Sequence, residues 1–300
     1  MSSSAERVDK QWQKKGLEAY STGAILGTLQ HYGVALDEAG FKAAAADKFP
    51  AQLAMDWIPT WKGTGQFQNF PYVAAMELTR RLFPDRLMPT DLSKGLAELL
   101  QALVEKQKGG EAAELDARFG RVEGMVEKLP TNEEARRGFV DESLLQLGEK
   151  VVRAMDELGE AVARAGHHNE ARRFAELEEK LLPERRGIAT ALVQAVAGDR
   201  DAAVQKLKSA GEEAGRPIET KVMAVESLTH LDALDEALEI GKAALDVAES
   251  TDEHHAAMAL CDQVGRILER LGRRDEFLAN RERAKRISAA HSHAHPHHRH

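Results

Sequence analysis

In the stretch LSKGLAELLQALVEK, Leu92, Leu96, Leu99, Leu100 and Val104 recur at three- and four-residue spacings, which puts them on one face of a helix. That period runs through most of the chain. No stretch shows sustained period-two alternation of β-branched and aromatic residues between turn signals, so strands are not predicted. Thr90 or Asp91 can cap the start of this helix by offering a side-chain oxygen to free backbone N–H groups. Thr131 with Glu134 predicts a capping box just after Pro130, and Ser143 with Gln146 predicts another. The fold class is all-α.

A longer period lies above the helical one. The segments GHHNEA (166–171), GDRDAA (198–203), DALDEA (232–237) and GRRDEF (272–277) share one order: a turn-forming Gly or Asp, a polar stretch, then a small or apolar residue. Their last residues, Ala171, Ala203, Ala237 and Phe277, are spaced by 32, 34 and 40, the last interval holding an insertion around STDEHH. Gly at the turn permits a left-handed residue that ends one helix, and Asp or Asn can begin the next. The small residue lets the two helices approach. The spacing predicts antiparallel helix pairs of about 34 residues stacked in sequence.

At these positions the chain resembles the tetratricopeptide repeat (TPR) family, over roughly residues 150–290. In MDELGEAVARAGHHNEARRFAELEEKLLP, Met155 stands where the family usually has Trp, and Leu158-Gly159 matches its Leu-Gly pair. Val162 takes the Tyr place, and Ala171, Ala175 and Pro183 match the second-helix alanine, the later packing position and the closing proline. Glu178 departs from a usually small position. The last copy matches through Cys261, Val264-Gly265, Leu268, Gly272 and Ala284. The second copy keeps Gly198, Ala203, Leu207 and Ala210, and the third keeps Ala237 and Ala244. RFGRVEGMVEKLPTNEEARRGF reads as a degenerate unit before them, with Ala135 placed 36 residues ahead of Ala171.

The resemblance implies a TPR-like solenoid whose first helices line a concave groove suited to a protein or peptide partner. Projected onto this chain, groove-facing candidates are Arg153, Asp156, Glu160, Arg164, Arg185, Glu226, His230, Asp262, Arg266 and Arg270. The alternative is that these charges pair along their own helices, as the Asp156–Glu160–Arg164 and Asp262–Arg266–Arg270 spacings allow. Chaperone-binding members of the family clamp a terminal carboxylate with a Lys/Asn arrangement. Asp156 and Glu160 stand there instead, which implies a different peptide, of mixed or basic charge.

Composition divides the chain. Residues 1–100 hold 11 of the 15 aromatic residues and balance 11 basic against 11 acidic residues, so the rest carries the whole net charge of −8. The expected organisation is an N-terminal helical module (1–107), a helical connection or degenerate repeat (108–150), TPR-like repeats (151–288) and a flexible His-rich tail (289–300). The joint is expected at Gly109-Gly110. Within the N-terminal module, Trp57, Trp61, Lys62 and Phe67 flank a Gly-rich loop. They predict either a second candidate binding surface or, as the large area of these aromatics favours, the core of the module.

His291, His293, His295, His297 and His298 in the terminal HSHAHPHHRH could bind Zn²⁺ or Ni²⁺, natively or incidentally. Chemistry is otherwise not signalled: there is no phosphate loop, nucleophile elbow or HExxH, so neither catalysis nor a cofactor is expected. An enzyme sited in the N-terminal module, with the repeats regulating it, is the first rival, and a metal-binding accessory protein the second. The negative charge disfavours nucleic acid as a partner, and no run of 18 apolar residues predicts a membrane span. One cysteine, Cys261, and a start without an apolar signal segment predict a cytoplasmic, reducing address. The expected function is a non-catalytic interaction scaffold or adaptor.

Overall fold

A computed structural model describes residues 7–111 and 114–294, without the side chains of Asp156 and of residues 291–294. Among the described residues every regular element is helical, and no helix is long and apolar enough to cross a membrane. The chain forms two compact units, Met1–Ser93 with Lys128–Gln146, and Lys94–Glu127 with Leu147–His300.

In the first unit, α1 (Trp12–Lys15), α2 (Thr22–His31), α3 (Glu38–Ala45), α4 (Pro50–Trp57) and α5 (Phe70–Leu82) surround an aromatic core. Ser21 and Asp37 cap α2 and α3, accepting from the N–H groups of Ala24 at 3.0 Å and Gly40 at 2.7 Å. Phe70 is fully buried, stacked on Trp61 with centroids 5.9 Å apart and met edge-on by Trp12 at 5.4 Å. Trp57 and Phe67 are also buried. The Trp61 indole donates to the Phe67 carbonyl at 3.1 Å, and the Lys62 N–H to the Tyr32 carbonyl at 2.9 Å. The Gly-rich loop is therefore pinned by rings that the core needs. Of the proposed second surface, Trp57, Trp61 and Phe67 are packing residues, and only Lys62 is exposed.

The helix α6 (Pro89–Gln107) starts in the first unit and ends in the second; α7 (Leu115–Val126) belongs to the second and α8 (Glu133–Leu147) returns to the first. This corrects the boundary expected at residue 107. Gly109, at φ 80°, makes a turn between α6 and α7 inside one unit. Arg118 reaches the Glu98 carbonyl at 2.9 Å and Arg121 its carboxylate at 2.6 Å, tying the two helices together. The degenerate repeat expected between residues 108 and 150 is divided between the units, α7 in the second and α8 in the first. Capping at α8 also differs by one residue: Asn132, not Thr131, accepts from the Ala135 N–H at 2.9 Å. Ser143 caps nothing, being buried inside α8 and donating back to Phe139 at 2.7 Å.

The remaining helices of the second unit come in four pairs: α9 (Glu149–Arg164) with α10 (His168–Leu181), α11 (Ala189–Val196) with α12 (Arg200–Glu212), α13 (Ile218–His230) with α14 (Leu234–Ser250), and α15 (His254–Arg270) with α16 (Arg274–Ala294). Each helix packs on the next, and α9 on α11, α12 on α14 and α13 on α15. The turn inside every pair is the same object. Gly166, Gly198, Asp232 and Gly272 take φ of 90°, 100°, 60° and 70°. The following N–H reaches the carbonyl five residues back in each case: His167 to Val162 at 3.2 Å, Asp199 to Gln194 at 3.2 Å, Ala233 to Leu228 at 2.9 Å and Arg273 to Leu268 at 2.9 Å. This Schellman closure satisfies carbonyls that the helix end would otherwise leave bare. It needs a left-handed residue, which is why Gly stands at three of the sites.

Ala171, Ala203 and Ala237 are fully buried just after these turns. A core running from Ile188 to Ile287 joins the second, third and fourth pairs. Close approach is sharpest at Gly211, where a Cβ would stand 2.7 Å from Ile240. The last helix extends through Ala294, so residues 289–294 are helical rather than part of a tail.

Candidate functional site

The first helices of three successive pairs, α9, α11 and α13, share a cavity of about 440 Å³. Five sequence candidates line it: Glu160 and Arg164 from α9, Arg185 from the link after α10, and Glu226 and His230 from the end of α13. Its apolar surface comes from Ile188, Leu192, Val193 and Met223, with Gly159 leaving room beside Val193. Ile188, Leu192 and Val193 recur at helical spacing because α11 must also bury them against its neighbours, and Met223 comes from α13.

The charges of the cavity are organised into pairs. Glu160, only 14% exposed, accepts from Arg164 one turn later at 2.5 Å and lies 3.8 Å from His230 Nε2. Glu178 is 3% exposed and is ion-paired with Arg185. Taking a carboxylate out of water is costly unless a hydrogen-bonded cation comes with it, and Arg185 is that cation. Glu157 and Glu226 are exposed and complete the acidic lining. Beside the His230 imidazole, four carboxylates, Glu157, Glu160, Glu178 and Glu226, face two guanidiniums, Arg164 and Arg185.

The other candidates lie outside this cavity. Arg153 pairs with Glu149 on its own helix, and Asp262 with Arg266 on the exposed face of α15. Arg270 bridges pairs, reaching Asp232 at 2.7 Å and the Thr229 carbonyl at 3.3 Å. The side chain of Asp156 lies outside the described residues. Sequence reasoning missed Glu157, Glu178, Leu192, Met223 and Ser227. Only Glu178 carried a signal, as a carboxylate at a position the repeat keeps small.

Elsewhere, the first unit holds a cavity of about 510 Å³ lined by Trp12, Leu17, Met76, Glu77, Arg80 and Arg86, among others. Its charges serve the fold: Glu77 accepts from Arg80 at 2.7 Å and Arg81 at 2.6 Å, and Arg86 donates to the Ala45 and Ala46 carbonyls at 2.5 and 2.7 Å. Cys261 is buried, burial pushes its thiol pKa up, and its carbonyl accepts from Asn280 at 2.7 Å. That is the setting of a packing residue, not of a nucleophile. No group of His, Cys, Asp and Glu suited to a metal ion exists among the described residues. His295, His297 and His298 lie outside those residues, and of His291 and His293 only the helical backbone is described.

Neither a family model nor a curated protein matches the chain.

Proposed function

We propose that this chain is a non-catalytic interaction scaffold of the tetratricopeptide type, holding a segment of a protein partner against the first helices of its pairs. The observation that carries the reading is the shared cavity: α9, α11 and α13 come from three separate pairs and line it together, with Glu160 and Arg164 from α9, Glu226 and His230 from α13, and Arg185 from the link after α10. A stack of pairs with identical Schellman turns supports the resemblance, since each pair then buries one face and leaves a first-helix face for a ligand. Charges already engaged with one another, Glu160 with Arg164 and Glu178 with Arg185, suit holding a partner. The reading includes a cytoplasmic address, supported by the single buried thiol of Cys261.

The test is affinity capture from lysate with the intact chain and with Ala189→Trp, which adds a large ring inside the cavity. A partner retained by the parent and lost by the variant, at unchanged helical circular dichroism, is the expected result. Equal capture by the two proteins removes the cavity from the binding face.

A further inference from the structure

Within the cavity, positive groups are all engaged while acceptors are left over. Arg164 is engaged by Glu160 at 2.5 Å and Arg185 by the buried Glu178. Glu157 and Glu226 line the same space with no ion pair of their own among the described residues. An independent sign comes from Ser227. Its residue is 7% exposed and lines the cavity, and its hydroxyl has no hydrogen-bond partner among the described residues. A hydroxyl in the middle of a helix ordinarily returns to the carbonyl four residues back. Thr229, two residues on, does so to Val225 at 2.7 Å.

The leftover groups have one chemistry in common. The Ser227 hydroxyl, open to the cavity on a residue that is otherwise buried, and two uncommitted carboxylates accept hydrogen bonds, and an ammonium or guanidinium donates several while accepting none. The apolar part of the lining, Ile188, Leu192, Val193 and Met223, suits the methylene stem that carries such a head group. We propose that the cavity receives a Lys or Arg side chain from a basic segment of the partner, with Ser227, Glu226 and Glu157 as acceptors. This rests on the scaffold reading and adds the sign of the charge recognised.

Fluorescence polarisation with the full chain tests it, using a short fluorescein-labelled peptide of alternating Lys and Ala and its counterpart of alternating Glu and Ala. The Lys peptide binds and the Glu peptide does not. Glu157→Gln with Glu226→Gln weakens the Lys peptide about tenfold, the product of two partly exposed charge pairs. Ser227→Ala weakens it further. A control pair that does not line the cavity, Glu269→Gln with Asp275→Asn, leaves it unchanged and guards against bulk electrostatics.

Equal affinity for the two peptides, or an equal loss in the control pair, overturns the proposal. The scaffold reading fails differently. If Ala189→Trp abolishes partner capture while the glutamine pair retains it, the docking face stands and cation recognition falls. If Ala189→Trp captures as the parent does, the docking face itself falls.

Discussion

Arg185, in the link that follows α10, ion-pairs with Glu178, a carboxylate buried three turns into that helix. The repeat asks for a small residue where Glu178 stands, so the chain has placed a charge in a packing position and supplied its counter-charge seven residues later. Removing Arg185 alone takes away the guanidinium that ion-pairs with this buried carboxylate. Arg185→Met is expected to lower unfolding free energy by up to about 3–5 kcal/mol. Glu178→Leu combined with Arg185→Met is expected to recover most of it, because a pair of apolar residues carries no desolvation cost. Urea melts of the parent, the single and the double variant check this. A double variant as unstable as the single would mean that shape, not charge, sets the cost.

The turn geometry predicts a second effect in isolation. At Gly198, φ is 100° and an added Cβ would meet nothing within 4 Å. Gly198→Ala therefore changes backbone preference and no contact, and is expected to cost about 1–2 kcal/mol. Thermal unfolding of the variant is the measurement. An unchanged midpoint would show that the turn relaxes without the left-handed residue.

Gly211 poses the opposite case, a contact without backbone strain. A Cβ there stands 2.7 Å from Ile240 Cγ2, and Ile240 is 2% exposed and cannot swing away. Alanine gains helix propensity of about 1 kcal/mol over glycine, but overpacking a tight seam costs about 1–3 kcal/mol. Net loss is expected for Gly211→Ala. Combined with Ile240→Ala it should lose less than the sum of the two single variants, a positive coupling that a double-mutant cycle reads.

These turns and seams explain what the sequence made legible. Gly166, Gly198, Asp232 and Gly272 act through their own backbone and its nearest carbonyls, so a local pattern suffices to find them. The buried alanines at 171, 203 and 237 follow at fixed offset. The cavity was half legible. Glu160 and Arg164 pair across one helical turn, and Glu226 and His230 repeat that spacing two pairs later, but Arg153, Asp262, Arg266 and Arg270 share the pattern and lie elsewhere. Helical period fixes a face, not which neighbour fills it. The division between units was not legible, because α6 is one uninterrupted helix and the exchange of α7 and α8 between units is set by tertiary packing alone. The burial of Trp57 and Phe67 agrees with what the large area of these rings favoured.

The last prediction concerns pH and the first unit. Glu142 on α8 is 9% exposed, accepts from the Tyr72 hydroxyl, and its second oxygen, Oε2, is buried with no partner. Burial pushes the Glu142 carboxyl above its ordinary 4.5, with the Tyr72 bond opposing. Burial, then Glu142, push the Tyr72 hydroxyl up as well. A carboxyl whose folded pKa is raised binds its proton more tightly in the folded than in the unfolded chain. Its favourable contribution is therefore present below the unfolded value and lost as pH rises through the folded one. Glu142→Gln keeps an acceptor for Tyr72 and has no charge to desolvate. The variant is expected to match the parent at acid pH and to exceed its stability above the carboxylate range. Urea melts of the two proteins across that pH interval decide it: parallel curves would mean that the buried carboxylate is already relieved by groups other than Tyr72.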